Sequence, residues 1–286
     1  MFPPLSPIFL HALLAGVVLG CIYALISLGF SIFWGTSDVV HIALPSIALI
    51  SSYLTYFGHM LLNLPFPILL ISSILTGLFI NWAIVEVIKG RLVKMTPLTT
   101  LLIFFGMVFI FEGIMSYIWG VRQRTLIIPY LESMIGVLPL KDILIISLTL
   151  LVYLILIFFF SRVKQGIAIK AAAQNRKGAL ICGISTFTIY RLISLIGGAA
   201  CGLAGSLLAV VYSFYPAMGT VWIAYLFFVV VIGGKGSILG SLVGGLVLGI
   251  LQSLIGAMIP LQWTEFILFL GLVLILVVRP QGLFGG

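Results

Sequence analysis

Charge is what this chain lacks most. Only 7% of its 286 residues are Asp, Glu, Lys or Arg, and six acids stand against fourteen Lys and Arg. A soluble domain carries about 25% charged residues, so this chain cannot cover a water-facing surface. With 63% hydrophobic residues, it reads as an integral membrane protein. Cysteine is scarce too. Cys21, Cys182 and Cys201 are far apart with no C-x-x-C pair, which argues for free thiols over a disulfide framework or a metal site. No Lys or Arg precedes the first apolar run, "MFPPLSPIFLHALLAGVVLGCIYALISLGF", and that run exceeds a signal-peptide core, so it reads as a retained first span. No Ser with Lys or His, and no Asp pair, stands at a spacing that would build an intramembrane catalytic site. "GGKGS" at 233–237 is no phosphate loop, because no G-x-x-x-x-G-K-[ST] exists and Lys235 is followed by Gly. It reads as a break between a short and a long apolar segment. The net charge of +8 is spread over loops and forms no nucleic-acid groove. Its reading is membrane topology.

What is present is apolar sequence in long runs. A spanning helix needs roughly 20 such residues. The runs 9–34, 42–62, 66–88, 98–119, 142–160, 192–213, 238–258 and 263–279 qualify, while 221–232 is apolar but short, either a crossing or a re-entrant piece. The pattern predicts an all-α polytopic bundle of eight to nine segments, one transmembrane domain over 1–286, and it excludes a β-barrel of short alternating strands. If all nine cross and 162–191 is cytoplasmic, eleven cations fall inside and three (Arg122, Arg124, Lys141) outside. The positive-inside rule supports that arrangement, N-terminus out and C-terminus in. If eight cross, one terminus changes side. In the nine-span arrangement Tyr117, Trp119, Tyr212, Tyr215, Trp222 and Trp263 gather at the outer interface.

Within this frame a few residues stand out. Gly236, Gly240 and Gly244 fall four apart beside Gly233, Gly234 and Ser237. Gly198/Gly202 and Gly16/Gly20 repeat the spacing. Small residues at i, i+4 let helices approach closely in lipid, within the chain or against a second subunit. The first and sixth spans both carry such stripes and run in opposite directions, as an inverted repeat would give. Glu112 lies deep in an apolar span, where an acid marks a pathway or a paired interior site. Glu86 has Lys89 at i+3 and reads as a local ion pair. His11, His41 and His59 lack ligand spacing and read as interfacial. The stretch 162–191 holds six of the fourteen cations and no acid. Inside it Ala171–Ala173, Ala179, Leu180 and Ile181 give one apolar face, ended by Gly183. On these grounds it is either a solvated topology loop or a helix that docks into a partner's groove.

That stretch resembles the coupling loop of permeases from ATP-binding-cassette importers of branched-chain amino acids, at Lys170, Ala172, Gln174, Asn175, Arg176, Ala179, Gly183 and Ile184. "GVVLGCIYALISLGFSIFWG" resembles the family's first motif at Gly20, Tyr23, Ala24, Leu25, Gly29 and Gly35. "VIGGKGSILGSLVGGLVLG" resembles its glycine-rich signature, and "VVRPQGLFG" its ending. The likeness runs through nearly the whole chain and is nearest to the shorter of the two permease types such importers pair. The chain departs from the pattern at Lys177, where the family has an acid, and at "HIALPS", where His41 and Ser46 replace an Asn and an acid. His41, Ser46 and Glu112 are the candidate pathway residues. The resemblance implies a bacterial or archaeal plasma-membrane subunit with no cofactor of its own. ATP and Mg would be bound by partner ATPase subunits. A second permease, identical or longer, and an extracytoplasmic binding protein would complete the importer. The alternatives are a permease for another small polar solute such as urea or an amide, or a secondary transporter or channel.

Overall fold

The computed structural model describes residues 5–92, 95–136 and 138–278. Lys94, Arg279 and the tail motif lie outside the described residues. Among the described residues eleven α-helices follow in order: α1 Leu5–Ser37, α2 Leu44–Leu62, α3 Phe66–Leu92, α4 Pro97–Trp119, α5 Leu140–Arg162, α6 Lys164–Gln174, α7 Arg176–Ile181, α8 Thr186–Val211, α9 Met218–Gly233, α10 Ile238–Gly256 and α11 Leu261–Val278. A small antiparallel hairpin, β1 Met134–Ile135 with β2 Leu138–Pro139, lies between α4 and α5. The chain is thus an all-α polytopic membrane protein. Among the described residues six helices (α1 from Phe9, α3, α4, α5, α8 and α10) are long and apolar enough to cross a bilayer. Each expected segment corresponds to one helix, although 42–62 starts two residues before α2, 192–213 and 238–258 run two residues past α8 and α10, and α8 begins earlier than expected.

α1 and α8 form the centre. They are the most buried of the six, whereas α3, α4 and α5 leave most of their surface to the surroundings. Two seams of small residues hold the centre to its flanks. In the first, a Cβ on Gly20 would lie 2.7 Å from the Leu246 Cα, and one on Gly16 2.7 Å from the Ile250 Cα. In the second, a Cβ on Gly202 would meet the Ser73 carbonyl oxygen at 2.3 Å, and one on Gly198 the Gly77 oxygen at 2.5 Å. In both, the number rises along one helix as it falls along the other, so α1 runs antiparallel to α10 and α3 antiparallel to α8. The two pairings match when residue 20 is laid on 202 and 74 on 246. That correspondence is what an inverted repeat would give.

The stripe on α10 therefore packs inside its own chain. Gly240 sits on the Gly233 carbonyl, Gly244 on Val229, Gly245 on Ala24 and Gly236 on Gly35. The break at 234–237 turns on Gly234 and Gly236, both at positive φ (81° and 79°), a conformation glycine adopts freely.

α2 is less apolar for a physical reason. Its Ser46, Ser51, Ser52 and Thr55 are buried, and protein carbonyls satisfy three of the four. Ser52 donates to the Gly205 carbonyl at 2.7 Å and Thr55 to the Ser51 carbonyl at 2.9 Å, while Ser51 reaches the Ser73 carbonyl at 3.5 Å. A helix walled by protein can carry hydroxyls that lipid would not tolerate.

Candidate functional site

The α9 N-terminus sits deep in the bundle beside the start of α2. A Cβ on Gly219 would come within 2.7 Å of the Ser46 hydroxyl. The next residue, Thr220, donates to the Glu112 carboxylate at 3.1 Å. So Ser46 and Glu112, far apart in sequence, meet the same first turn of α9. Ser46 Oγ is buried and has no hydrogen-bond partner among the described residues. Glu112 is half-buried, an acid on a largely uncovered helix.

His41 lies elsewhere, and not at an interface. Its extended segment between α1 and α2 turns inward, leaving the ring fully buried. The ring stacks on Phe104 with centroids 3.8 Å apart and packs against Phe33. Nε2 pairs with the Asn81 Oδ1 at 2.7 Å, and Asn81 Nδ2 donates to the Ser194 carbonyl at 2.9 Å. Nδ1 has no partner among the described residues. Asn81 thereby ties the inward segment to α3 and α8. The sequence signal for it was its strong polarity in an otherwise apolar run.

A second polar chain was also missed. Tyr23 donates to the Gln252 Oε1 at 2.7 Å, Gln252 Nε2 donates to the Tyr225 oxygen at 3.4 Å, and Tyr225 donates to the Glu265 carboxylate at 3.3 Å. The chain joins the buried first motif of α1 to a second acid within a membrane helix. Trp222 packs edge-on against Tyr23 at 5.1 Å and is buried, so it is a core residue and not part of the outer aromatic belt. Tyr117 and Trp263 are exposed.

The basic stretch forms two helices broken at Asn175, whose side chain accepts the Gly178 amide at 2.9 Å. Gly183 follows at φ 80°, with the Ile184 amide donating back to the Ala179 carbonyl. The small face does not point outward. Gly166, Ile169, Ala172 and Ala179 are buried against the chain itself, Gly166 on Phe159 and Phe160, and Ala172 and Ala179 beside Thr36, Ser37 and Tyr190. Arg176 reaches the Tyr190 hydroxyl at 3.2 Å. Lys170, Gln174 and Asn175 are exposed. The exposed large apolar side chains are Ile167, Leu180, Ile181 and Phe187, with Ile181 87% exposed. Glu86 pairs with Lys89 as its spacing suggested and also takes both arms of Arg191 at 2.7 and 2.8 Å. That contact fastens the end of α3 to the start of α8.

Among the described residues no group of three His, Cys, Asp or Glu could hold a metal ion. The family described as "Branched-chain amino acid transport system / permease component" matches residues 12–278. The chain is 28% identical to the high-affinity branched-chain amino acid transport permease LivH of Escherichia coli, over 97% of this chain and 96% of that protein. It is 27% identical to BraD of Pseudomonas aeruginosa over the same shares. To a probable LivH of Methanocaldococcus jannaschii it is 28% identical over 84% and 78% of the two chains. No solved structure matches it. With a family match across nearly its whole length, the chain belongs to the branched-chain amino acid transport permeases.

Proposed function

We propose that this chain is the translocation subunit of an ATP-binding-cassette importer for branched-chain or other hydrophobic amino acids. The family match over residues 12–278 carries this reading. The antiparallel seams support nine crossings. α8 also runs against α1, since Gly29 meets Gly197 while Thr36 and Ser37 lie beside Ile189 and Tyr190; with α8 and α10 both against α1, α9 is the return between them, and α2 the return between α1 and α3. The N-terminus is then outside and the C-terminus inside the plasma membrane. ATP and Mg belong to partner ATPase subunits. A second permease and an external binding protein complete the assembly.

The solute's path runs by the meeting of α2 and α9, where Glu112 can take an ammonium group and the buried Ser46 hydroxyl has an unused donor. His41 is the inner packing support of that region. Energy enters through 162–191. Because Ala172 and Ala179 hold the loop to its own bundle, they keep α6 and α7 rigid, and the gripping surface is the apolar tip at Leu180 and Ile181. Burying an isoleucine side chain stabilises by about 1.5–3 kcal/mol, enough for a tip residue to matter in docking.

The test is uptake of labelled leucine into proteoliposomes holding the permease with its cognate ATPase and binding protein. Uptake should require ATP and should compete with isoleucine and valine, not with urea. Ile181→Asp should abolish uptake and detach the ATPase while the permease still inserts. Leucine uptake that proceeds without an ATPase would overturn the reading.

A further inference from the structure

A cavity of about 330 Å³ opens at the basic end of the bundle, between the C-terminal ends of α1 and α5, helix α6 and the start of α10. Ile157, Phe160 and Leu239 supply its apolar wall, while Ser161, Ser237 and Lys170 supply its polar side. Leu239 is 57% and Ile157 39% exposed, so the apolar lip faces outward from the bundle.

The charge around it has one sign. Lys170 is exposed and makes no ion pair among the described residues. Arg162 and Lys164, also exposed, stand at the α5–α6 junction. Of the four elements that form the cavity, α1, α6 and α10 contain no acid, and the one acid of α5, Asp142, is at its far end. Asp38, just beyond α1, is already paired with Lys235.

We propose that this cavity binds an anionic phospholipid of the cytoplasmic leaflet, its phosphate on Lys170 and an acyl chain along Ile157, Phe160 and Leu239. An apolar wall opening sideways with an unopposed cation at the interface fits a ligand that is half aliphatic and negatively charged. A free phosphate would leave the wall uncovered, and a zwitterionic lipid would gain little from Lys170. Basic interfacial pockets between membrane helices recognise acidic headgroups by this chemistry.

The full-length permease is reconstituted in nanodiscs of equal phosphatidylcholine and phosphatidylglycerol, and lipids retained after extraction are counted by native mass spectrometry. Wild type should retain phosphatidylglycerol over phosphatidylcholine. Lys170→Gln should lower that preference about fivefold, the weight of one interfacial lysine on an anionic lipid. Leu239→Trp, which fills the lip, should lower retention of both lipids. Lys177→Gln, a cation on α7 away from the cavity, should change nothing. Equal retention by wild type and Lys170→Gln would overturn the proposal, as would equal loss from Lys177→Gln. Displacement of the lipid by millimolar inorganic phosphate would show an anion site and not a lipid site, and would equally end it. None of these readouts depends on which solute is carried or on ATPase docking.

Discussion

The seam between α3 and α8 makes a sharp expectation about single methyl groups. In Gly202→Ala the new carbon would sit 2.3 Å from the Ser73 carbonyl oxygen and 2.8 Å from the Ile74 Cα, both backbone atoms. A carbon–oxygen contact settles at about 3.3–3.6 Å, so α3 must withdraw by roughly 1 Å. A gap of that size forfeits a quarter to a half of each dispersion contact along the seam. Overpacking of a filled interior costs about 1–3 kcal/mol, occasionally more. A helical glycine replaced by alanine returns up to about 1 kcal/mol. The net expectation is a loss of about 1–2 kcal/mol or more.

Gly106 on α4 is the control, since a Cβ there meets nothing within 4 Å, and Gly106→Ala should be neutral or stabilising. The chain carries its own reporter. Cys21 and Cys201 are buried and Cys182 is exposed. In a Cys182→Ser background a thiol-reactive fluorophore therefore reads unfolding of the purified protein on heating. At about 2–4 °C per kcal/mol for chains of 150–250 residues, Gly202→Ala should melt several degrees lower and Gly106→Ala no lower than wild type. If Gly202→Ala melts with wild type, or if both variants fall alike, the close seam is not what holds α3 to α8.

The unmodified chain tests orientation: Cys182 should react with a membrane-impermeant thiol reagent only after the cytoplasmic face is opened, and labelling in intact cells would reverse the topology. Asn81→Leu should lose about 1–3 kcal/mol, read by the same thiol melt, because it leaves the buried His41 ring without a partner and removes a hydrogen bond to the Ser194 carbonyl. Glu112→Gln should keep the Thr220 contact and the assembly, yet cut leucine uptake at least tenfold if its charge serves the solute; loss of assembly along with uptake would assign it to packing.

Periodicity and composition made the spans legible, because a helix in lipid must announce itself by about 20 apolar residues. The same logic hid α2's role, since its Ser51 and Ser52 hydroxyls meet carbonyls of α3 and α8 that no local pattern reveals. The alanine run on 162–191 was legible as a small face, but not the direction it faces. Nothing in spacing alone says whether Ala179 meets a partner or Tyr190's surroundings in its own chain. Trp222 fell to the opposite error, an amphipathic ring near a span's end that packs on Tyr23 instead of reaching an interface. Asn81, Gln252 and Glu265 were visible as polar residues in or beside apolar runs. Their partners lie 27 to 229 positions away and came into view only with the fold.

The restraints on α9 are unequal at its two ends. Thr220 near its start and Tyr225 midway along it donate to Glu112 of α4 and Glu265 of α11, so these two acids of the membrane helices hold the same short helix. These are side-chain bonds at 3.1 and 3.3 Å, to carboxylates that a solute's donors can replace. At its other end, Gly233 and Gly240 are seated backbone against backbone, where a Cβ on Gly240 would lie 1.7 Å from the Gly233 oxygen. No side chain can rearrange to loosen that contact without parting α9 from α10. A solute that competed for Glu112 would therefore release the start of α9 while its end stayed fixed to α10. The glycine break that joins those two helices stands beside Gly35, near the end of α1 and the loop helices α6 and α7. On the proposed reading, the exchangeable contacts would lie at the solute's end and the permanent ones at the end where ATP-driven motion would enter.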